Sequence, residues 1–269
     1  MEQQDIWRAY QHLQQEKKVI HCITNHVTVN DCANMLLAAG ASPTMAHHKE
    51  EVAEIASGCD GLVCNLGATD DYEAMLLACR AIKSEGKPIV IDPVGVGASS
   101  FRRAFLDELV KTAAPTCIRG NYAELEAIWK RERTVKGVDA GNEQKDISYY
   151  EKLTKELAQK YQCFIVASGK TDIVSDGKCV YHINNGDKNM ARITGAGCMS
   201  TCLIAAYLAL GKSLEHVLCA CILMGICGEL AAKRTSLVQG GTMTFRMLLI
   251  DAMSNLQEAN IVPQICVKG

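Results

Sequence analysis

Short runs of consecutive apolar residues alternate with longer amphipathic stretches through the first two thirds of the chain. In the stretch 70–84, Met75, Leu76, Cys79 and Ile82 recur at helical spacing, which predicts a helix with one buried face. Runs that are apolar throughout and rich in β-branched residues predict strands that are buried on both faces. The predicted strands are 19–24, 61–66, 88–93, 115–119, 163–167, 172–175 and 179–183.

Buried strands joined by helices are typical of an α/β fold with a mostly parallel central sheet and helices on both of its faces. Residues 174–180 predict a hairpin, because an Asp-Gly pair separates two apolar runs, so one edge of the sheet is expected to be antiparallel. From about Thr194 onward the pattern predicts helix almost throughout. We expect one domain over residues 1–269, with the polar segment 131–146 on its surface.

In a parallel sheet of this kind, ligands bind beyond the carboxyl ends of the strands. Polar or glycine-rich residues follow four of the predicted strands, so we expect them to share one site. These groups are Thr24-Asn25-His26, Asp92 with the turn 93–97, Arg119-Gly120-Asn121 with Glu124, and the segment 168–172.

A glycine turn, Thr194-Gly195-Ala196-Gly197, precedes an apolar helix late in the chain. Small residues let the backbone surround an anion, and the start of a helix favours negative charge. Cys198 is predicted in the first turn of this helix, where the helix N-terminus lowers a thiol pKa. It is either a weak base or orienting contact near the anion, or an inert buried thiol.

Two acids and one arginine are candidates for binding a metal and phosphate. Asp92, at the end of a buried strand, requires a cation, hydrogen-bond donors or water. With Glu124 it forms a candidate pair of oxygen ligands for magnesium. The alternative for Glu124 is a capping box with Asn121, three residues before it. Arg119 is a candidate phosphate clamp, with a structural ion pair as its alternative.

Composition and charge narrow the classes of partner. The chain has 269 residues, 48% of them apolar, and a formal net charge of −2, which argues against a nucleic-acid or acidic membrane surface. Its 14 cysteines show no CxxC spacing, so we expect mostly buried, reduced thiols.

There is no apolar leader, and the apolar stretches 201–210 and 217–227 are too short to span a bilayer. We therefore expect a cytoplasmic protein with no membrane or nucleic-acid partner.

Motifs of other nucleotide-binding classes are missing from the sequence. No GxxxxGK[ST] segment is present, which excludes a P-loop. The segment 95–100 approaches a dinucleotide-binding GxGxxG turn but ends in serine. It also lacks a suitably placed acid on a following strand, so a Rossmann oxidoreductase is not favoured.

The Asn-x-x-Glu and Asp-Pro-Val-Gly segments at strand ends, together with the late glycine turn, resemble the ribokinase-like superfamily. Within it, the chain is most similar to the hydroxyethylthiazole kinase family, and the resemblance covers essentially the full length. The run Ser42-Pro43-Thr44-Met45, followed by two glutamates at 50 and 51, is especially specific. The matching segments are 21–25, 34–46, 66–67, 91–97, 119–121 with Glu124, and 194–198.

This resemblance implies an ATP- and Mg²⁺-dependent kinase that phosphorylates the primary hydroxyl of 4-methyl-5-(2-hydroxyethyl)thiazole in thiamine salvage. It also implies a homotrimer with sites formed between subunits. The broader superfamily usually places aspartate where this chain has Cys198, and this branch characteristically has cysteine. By resemblance, Asn25, Met45 and Gly195 bind the thiazole, Arg119, Ser168, Thr194 and Gly197 bind ATP, Asp92 and Glu124 hold magnesium, and Cys198 faces the substrate hydroxyl.

Two other functions remain open at this point. One is a different kinase or repair enzyme of the same fold, such as a kinase of hydroxymethylpyrimidine, against which the segments around Asn25 and Met45 argue. The other is a non-catalytic sensor that binds a thiazole and a nucleotide. A sensor does not require the full set of Asp92, Arg119, Glu124 and the glycine turn.

Overall fold

The computed structural model describes residues 1–135 and 146–268. Most of the polar segment 131–146, predicted to lie on the surface, is outside the described residues. Within the described ranges the strands are β1 (Val19–Ile23), β2 (Ser42–Thr44), β3 (Gly61–Asn65), β4 (Ile89–Asp92), β5 (Cys117–Asn121), β6 (Phe164–Ser168), β7 (Asp172–Ser175), β8 (Val180–Ile183) and β9 (Ile265–Lys268).

These strands form one mixed sheet in the order β2-β1-β3-β4-β5-β6-β7-β8-β9. The pairs from β2 to β6 are all parallel. The pairs from β6 to β9 are antiparallel, and β7 and β8 form the predicted hairpin. The parallel part brings the carboxyl ends of six strands to one edge of the sheet.

Helices connect the parallel strands and cover the sheet. The buried side chains of β1, β3 and β4 alternate between two separate cores, so both faces of the sheet are covered. The helices in the described ranges are α1 (Gln3–Glu16), α2 (Val29–Ala38), α3 (Val52–Gly58), α4 (Tyr72–Ser84), α5 (Ser100–Ala113), α6 (Tyr122–Val135), α7 (Ile147–Tyr161), α8 (Ala196–Leu208), α9 (Leu214–Leu237) and α10 (Thr242–Ser254).

The two helix layers differ in composition. One, which we call the α8 layer, consists of α1, α2, α8, α9 and α10. The other, the α4 layer, consists of α3 to α7, whose apolar residues recur on one side. Every residue of α8 from Cys198 to Leu208 is buried, because this helix packs against the sheet on one side and α9 on another. The α/β class and the mostly parallel sheet with helices on both faces are therefore confirmed.

Most of the predicted elements are present, and the differences are local. All seven predicted strands are found, as β1 and β3 to β8, and α4 begins after a short 3₁₀ turn at Thr69–Asp71. The strands β2 and β9 were not predicted. β2 has three residues, one of them Pro43, and the apolar run of β9 is only three residues long, Ile265-Cys266-Val267. The prediction of helix almost throughout after Thr194 is confirmed by α8, α9 and α10, and the exception is β9, which pairs with β8.

One helix is longer than the sequence pattern predicts. α9 has 24 residues and is long and apolar enough to cross a bilayer by length and composition. The expectation that every apolar stretch is too short is wrong, because the helix continues through polar residues at both ends of the apolar run. The apolar window of α9 is 72% buried against α8, α10 and the sheet, as expected for a core helix.

Candidate active site

The carboxyl ends of the parallel strands and the start of α8 meet at one edge of the sheet. The strand register aligns Asn65 of β3 with Asp92 of β4, and Asn121 of β5 with Ser168 of β6. Asn25 follows the end of β1 by two residues. Residues that are far apart in sequence are thus neighbours here, as the strand-end pattern predicts.

Asp92, the last residue of β4, is buried with 1% of its surface exposed. Its Oδ2 accepts hydrogen bonds from Asn65 Nδ2 (3.1 Å) and from the Thr201 hydroxyl (3.0 Å), whereas its Oδ1 has no hydrogen-bond partner among the described residues. Burial raises the pKa of Asp92 to about 6, with the Arg119 guanidinium opposing the rise and the Glu124 carboxylate adding to it. At neutral pH this side chain is a buried anion that can accept a cation or a water molecule at Oδ1.

Cys198 lies in the first turn of α8 and is also buried. Its Sγ accepts hydrogen bonds from Asn65 Nδ2 (3.2 Å) and Asn25 Nδ2 (3.6 Å). Burial raises the pKa of the Cys198 thiol to about 12, and the Asp92 carboxylate contributes to the rise. The prediction that the helix N-terminus lowers this pKa is wrong, because burial and the neighbouring negative charge outweigh it. Cys198 is a protonated thiol at neutral pH.

Asn65 and Thr201 belong to this cluster, and the strand-end analysis did not identify either of them. Asn65 donates to both Asp92 and Cys198, and Thr201 lies one helical turn after Gly197 on α8. A sequence signal for Asn65 exists, because it is the one polar residue in the apolar run 61–66. Thr201 has no comparable signal, since a threonine within an apolar helix is commonly a core residue.

The glycine turn lies against Arg119 and α2. Gly195 precedes the first residue of α8 with φ +89°, in the left-handed region, and a Cβ there would lie 3.0 Å from Thr28 Cγ2. A Cβ on Gly197 would overlap Arg119 Nη1, so glycine permits the close approach of α8 to β5. Thr194 is exposed. The first N–H groups of α8 have no intrahelical partner and can bind an anion at this end of the helix.

Arg119 extends from β5 toward β6 and the start of α8. Its Nη2 donates to Ser168 Oγ (2.8 Å), and its Nε is buried without a hydrogen-bond partner in the described part of the chain. The guanidinium group therefore contacts a hydroxyl and a helix N-terminus while it retains donors for a further acceptor. A phosphate group fits this arrangement, because guanidinium donors bind phosphate oxygens in pairs.

Glu124 lies in the first turn of α6 and forms the capping box that the sequence offered as an alternative. The Asn121 N–H donates to Glu124 Oε2 (3.0 Å), and the Glu124 N–H donates to Asn121 Oδ1 (2.9 Å). The other oxygen of Glu124, Oε1, accepts from the Gly95 N–H (3.0 Å) and so connects α6 to the turn after β4. Both carboxylate oxygens thus hold backbone groups in place.

The carboxylate of Asp92 fits a magnesium ion that keeps most of its water ligands, whereas both oxygens of Glu124 already accept backbone N–H groups. Asp92 Oδ1 has no partner in the described ranges, and an unpaired buried carboxylate oxygen is the donor type that magnesium prefers. In residues 1–135 and 146–268, no group of three or more His, Cys, Asp or Glu side chains could hold a metal by itself. The remaining ligands would have to be water and phosphate oxygens, which is usual for magnesium bound with a nucleotide.

Asn25 and Met45, the residues predicted at the thiazole, lie at the same edge on neighbouring parallel strands. Asn25 Oδ1 accepts from the Val27 N–H (3.1 Å), and its Nδ2 also donates to Asn65 Oδ1 (3.3 Å). Met45 directly follows β2, and its half-buried side chain packs against the core of the α8 layer. Asn25 thus contacts Cys198 directly, and the roles of both residues toward a thiazole stay predictions.

Comparisons with known proteins agree on one family. Residues 10–259 match the model of the hydroxyethylthiazole kinase family. Hydroxyethylthiazole kinase 1 of Methanosphaera stadtmanae is 40% identical over 97% of this chain and 96% of its own length. Hydroxyethylthiazole kinase of Clostridium botulinum is 37% identical over 96% of this chain and 94% of its own length.

Solved structures agree with the sequence comparisons. The hydroxyethylthiazole kinase of Pyrococcus horikoshii OT3 superposes with a TM-score of 0.87 at 30% identity, covering 99% of this chain and all of that one. A pyridoxal kinase of Staphylococcus aureus superposes with a TM-score of 0.59 at 17% identity, which shows a shared ribokinase-like fold. The chain therefore belongs to the hydroxyethylthiazole kinase family.

Proposed function

We propose that this protein transfers the γ-phosphoryl group of ATP to the primary hydroxyl of 4-methyl-5-(2-hydroxyethyl)thiazole, a step of thiamine salvage. The observation that carries this proposal is the cluster of Asp92, Asn65 and Cys198 beside the start of α8, with Arg119 at the same turn. It combines a buried carboxylate, a phosphate-binding arginine and a helix N-terminus at one point. The names of the relatives support the thiazole as the acceptor.

In the proposed reaction, the substrate oxygen attacks the γ-phosphorus, the bond to the β–γ bridging oxygen breaks, and the hydroxyl proton is released with ADP and the thiazole phosphate as products. Phosphoryl transfer depends mainly on position and charge stabilisation. Arg119 and the N–H groups of α8 stabilise the negative charge on the phosphates. Cys198 faces the hydroxyl as a thiol, and the transfer needs no covalent phosphoenzyme.

The residues proposed at ATP and at the metal follow from the same geometry. Ser168 holds the Arg119 guanidinium, and Gly197 leaves room for it beside α8. Thr194, at the exposed start of the glycine turn, is proposed to contact the nucleotide phosphates. Bound magnesium would neutralise phosphate charge. Asp92 Oδ1 would hold the ion, and Glu124 would contact it through water.

We also propose that the protein is a cytoplasmic homotrimer. Apolar side chains on α2, α10 and the turn before α2 are exposed in the single chain: Val27 (71%), Leu37 (59%), Met243 (62%) and Met247 (61%). An apolar surface of this kind is typical of an interface between subunits. Since Val27 is two residues from Asn25, such an interface would adjoin the proposed thiazole site, to which Gly195, packed against Thr28, is also assigned. Sedimentation equilibrium tests it, and a monomer would contradict it.

A coupled ADP-release assay tests the kinase proposal. With Mg-ATP, we expect turnover that depends on the thiazole alcohol and stops when a chelator removes Mg²⁺. Turnover with hydroxymethylpyrimidine in place of the thiazole would instead favour the other kinase of this fold. Thiazole binding by calorimetry without any ADP release would favour the sensor. The absence of both thiazole binding and turnover would overturn the proposed substrate.

A further inference from the structure

Asn65 ends β3 next to Asp92 and is buried, with 1% of its surface exposed. The two residues are register partners in neighbouring parallel strands, so their side chains leave the sheet on the same face. The first turn of α8, with Cys198, covers them. Asn65 therefore lies between Asp92, the residue proposed at the metal, and Cys198, the residue proposed at the substrate hydroxyl.

The carboxamide of Asn65 uses both donors and accepts two hydrogen bonds. Its Oδ1 accepts from the Gly67 N–H (2.8 Å) and Asn25 Nδ2 (3.3 Å). Its Nδ2 donates to Asp92 Oδ2 (3.1 Å) and Cys198 Sγ (3.2 Å). Because the backbone N–H of Gly67 can act solely as a donor, it determines which end of the amide is the oxygen. The amide nitrogen must then face Asp92 and Cys198.

We propose that Asn65 is a positioning residue for the phosphoryl transfer. Its amide holds the Asp92 carboxylate and the Cys198 thiol in one relative geometry, so that the phosphate end and the hydroxyl end of the site stay aligned. Cys198 Sγ accepts from both Asn65 and Asn25, which leaves the S–H hydrogen directed away from both amides. This inference rests on the proposed kinase function.

Two features of the side chain have separable consequences. The contact from Gly67 to Oδ1 shapes the turn after β3, which is a structural role. The two donors at Nδ2 carry the positioning role. The Asn65→Asp variant keeps the size and an acceptor for Gly67 but replaces the two donors by at most one, because two adjacent buried carboxyl groups share a single proton. The Asn65→Leu variant keeps the size and removes both roles.

The test compares these variants in the ADP-release assay. For Asn65→Asp we expect kcat to fall about 10²-fold, as for a reacting group displaced by about 1 Å, with the KM values for ATP and thiazole little changed. Asn65→Leu should lose a similar factor in kcat and also melt earlier. Thr154→Val is the matched control, because Thr154 is buried in the α4 layer and donates to Tyr150 O (2.7 Å). It should leave kcat unchanged.

A crystal structure of the Asn65→Asp variant supplies a readout that needs no turnover. We expect the distance between Cys198 Sγ and Asp92 Oδ2 to change, with Cys198 in a different rotamer. Unchanged positions, or a kcat equal to that of the wild type, would overturn the proposal. Failure of the wild type to phosphorylate the thiazole would overturn the proposed function, and the crystal structure would still decide whether Asn65 positions the two side chains.

Discussion

The end of β4 and the start of α6 each present a carboxylate to the same region, and the two carboxylates are held in opposite ways. Asp92 is almost fully buried, and one of its oxygens lacks a partner among the described residues. Glu124 is half-buried, and each of its oxygens accepts a backbone N–H. A carboxylate that retains an open oxygen is available to a cation, whereas one that is engaged on both sides mainly shapes the backbone around it.

This difference separates two roles that look alike in sequence. The two acids interact electrostatically, since the negative charge of Glu124 adds to the raised pKa of Asp92. Neutralising Asp92 is expected to remove the proposed metal contact. Neutralising Glu124 instead loosens the turn at Gly95 and the start of α6. The effects of the two substitutions on turnover should therefore differ by at least a factor of ten, since removing a direct contact to the reacting charges costs far more than removing one hydrogen bond to the backbone.

The largest effect is expected for Asp92→Asn. Thiazole-dependent kcat should fall by about 10²- to 10³-fold, the usual cost of removing one electrostatic contact from a transition state. The variant keeps the size of the side chain and an acceptor for Thr201, so the fold should persist. Asp70→Asn, at an exposed aspartate, is the control and should retain full activity. Turnover of Asp92→Asn within threefold of the wild type would remove Asp92 from the proposed metal site.

The stability of the metal-free protein should report the raised pKa of Asp92. Because the folded pKa of about 6 lies above the ordinary 3.8, the folded state holds its proton more tightly than the unfolded state. The contribution of Asp92 to stability should therefore fall as pH rises from about 4 to about 7. Relative to Asp92→Asn, the loss should be about 2–3 kcal/mol. Urea unfolding of both proteins in a chelator measures it, and a difference that stays constant with pH would contradict the raised pKa.

The sequence predicts the fold and much of the site because both depend on local pattern. Apolar runs locate β1 and β3 to β8, and the strand-end rule finds Asp92 and Arg119. β2 and β9 were missed because β2 has no apolar run and that of β9 is only three residues long, which is too short a pattern to identify a strand at the edge of the sheet. Asn65 was hidden because the predicted strand 61–66 included it as an interior residue.

The charge state of Cys198 and the role of Glu124 could not be predicted from the sequence. The pKa of Cys198 depends on burial and on Asp92, which is 106 positions away in the chain but adjacent across the site. The spacing of Asn121 and Glu124 is the same for a capping box and for a metal ligand beside a helix. Spacing along the chain predicts which residues lie near each other, whereas the hydrogen-bond partners of each carboxylate oxygen determine its role.

A smaller effect is expected for Glu124→Gln. Glutamine can still complete a capping box but accepts through a single oxygen, so one of the two backbone contacts is lost at a cost of about 1 kcal/mol in unfolding free energy. We expect kcat to fall about tenfold or less. Asn121→Ala, which removes the other half of the box, should cause a similar loss of stability and of kcat. A fall in kcat for Glu124→Gln that far exceeds that for Asn121→Ala would show that the charge of Glu124 acts directly on the metal or phosphates.

The smallest effect is expected for Cys198→Ser. A thiol whose pKa is raised to about 12 stays protonated between pH 7 and pH 9 and has no ionised form to accept the substrate proton in that range. A serine hydroxyl is of similar size and can accept the hydrogen bond from Asn65 Nδ2, so the cluster around Asp92 keeps its geometry. We expect a kcat within about tenfold of the wild type and a pH profile of the same shape, both measured by ADP release. A general base usually contributes about 10²-fold or more, so a loss of that size would show that Cys198 does accept the proton and that its pKa falls when substrate binds.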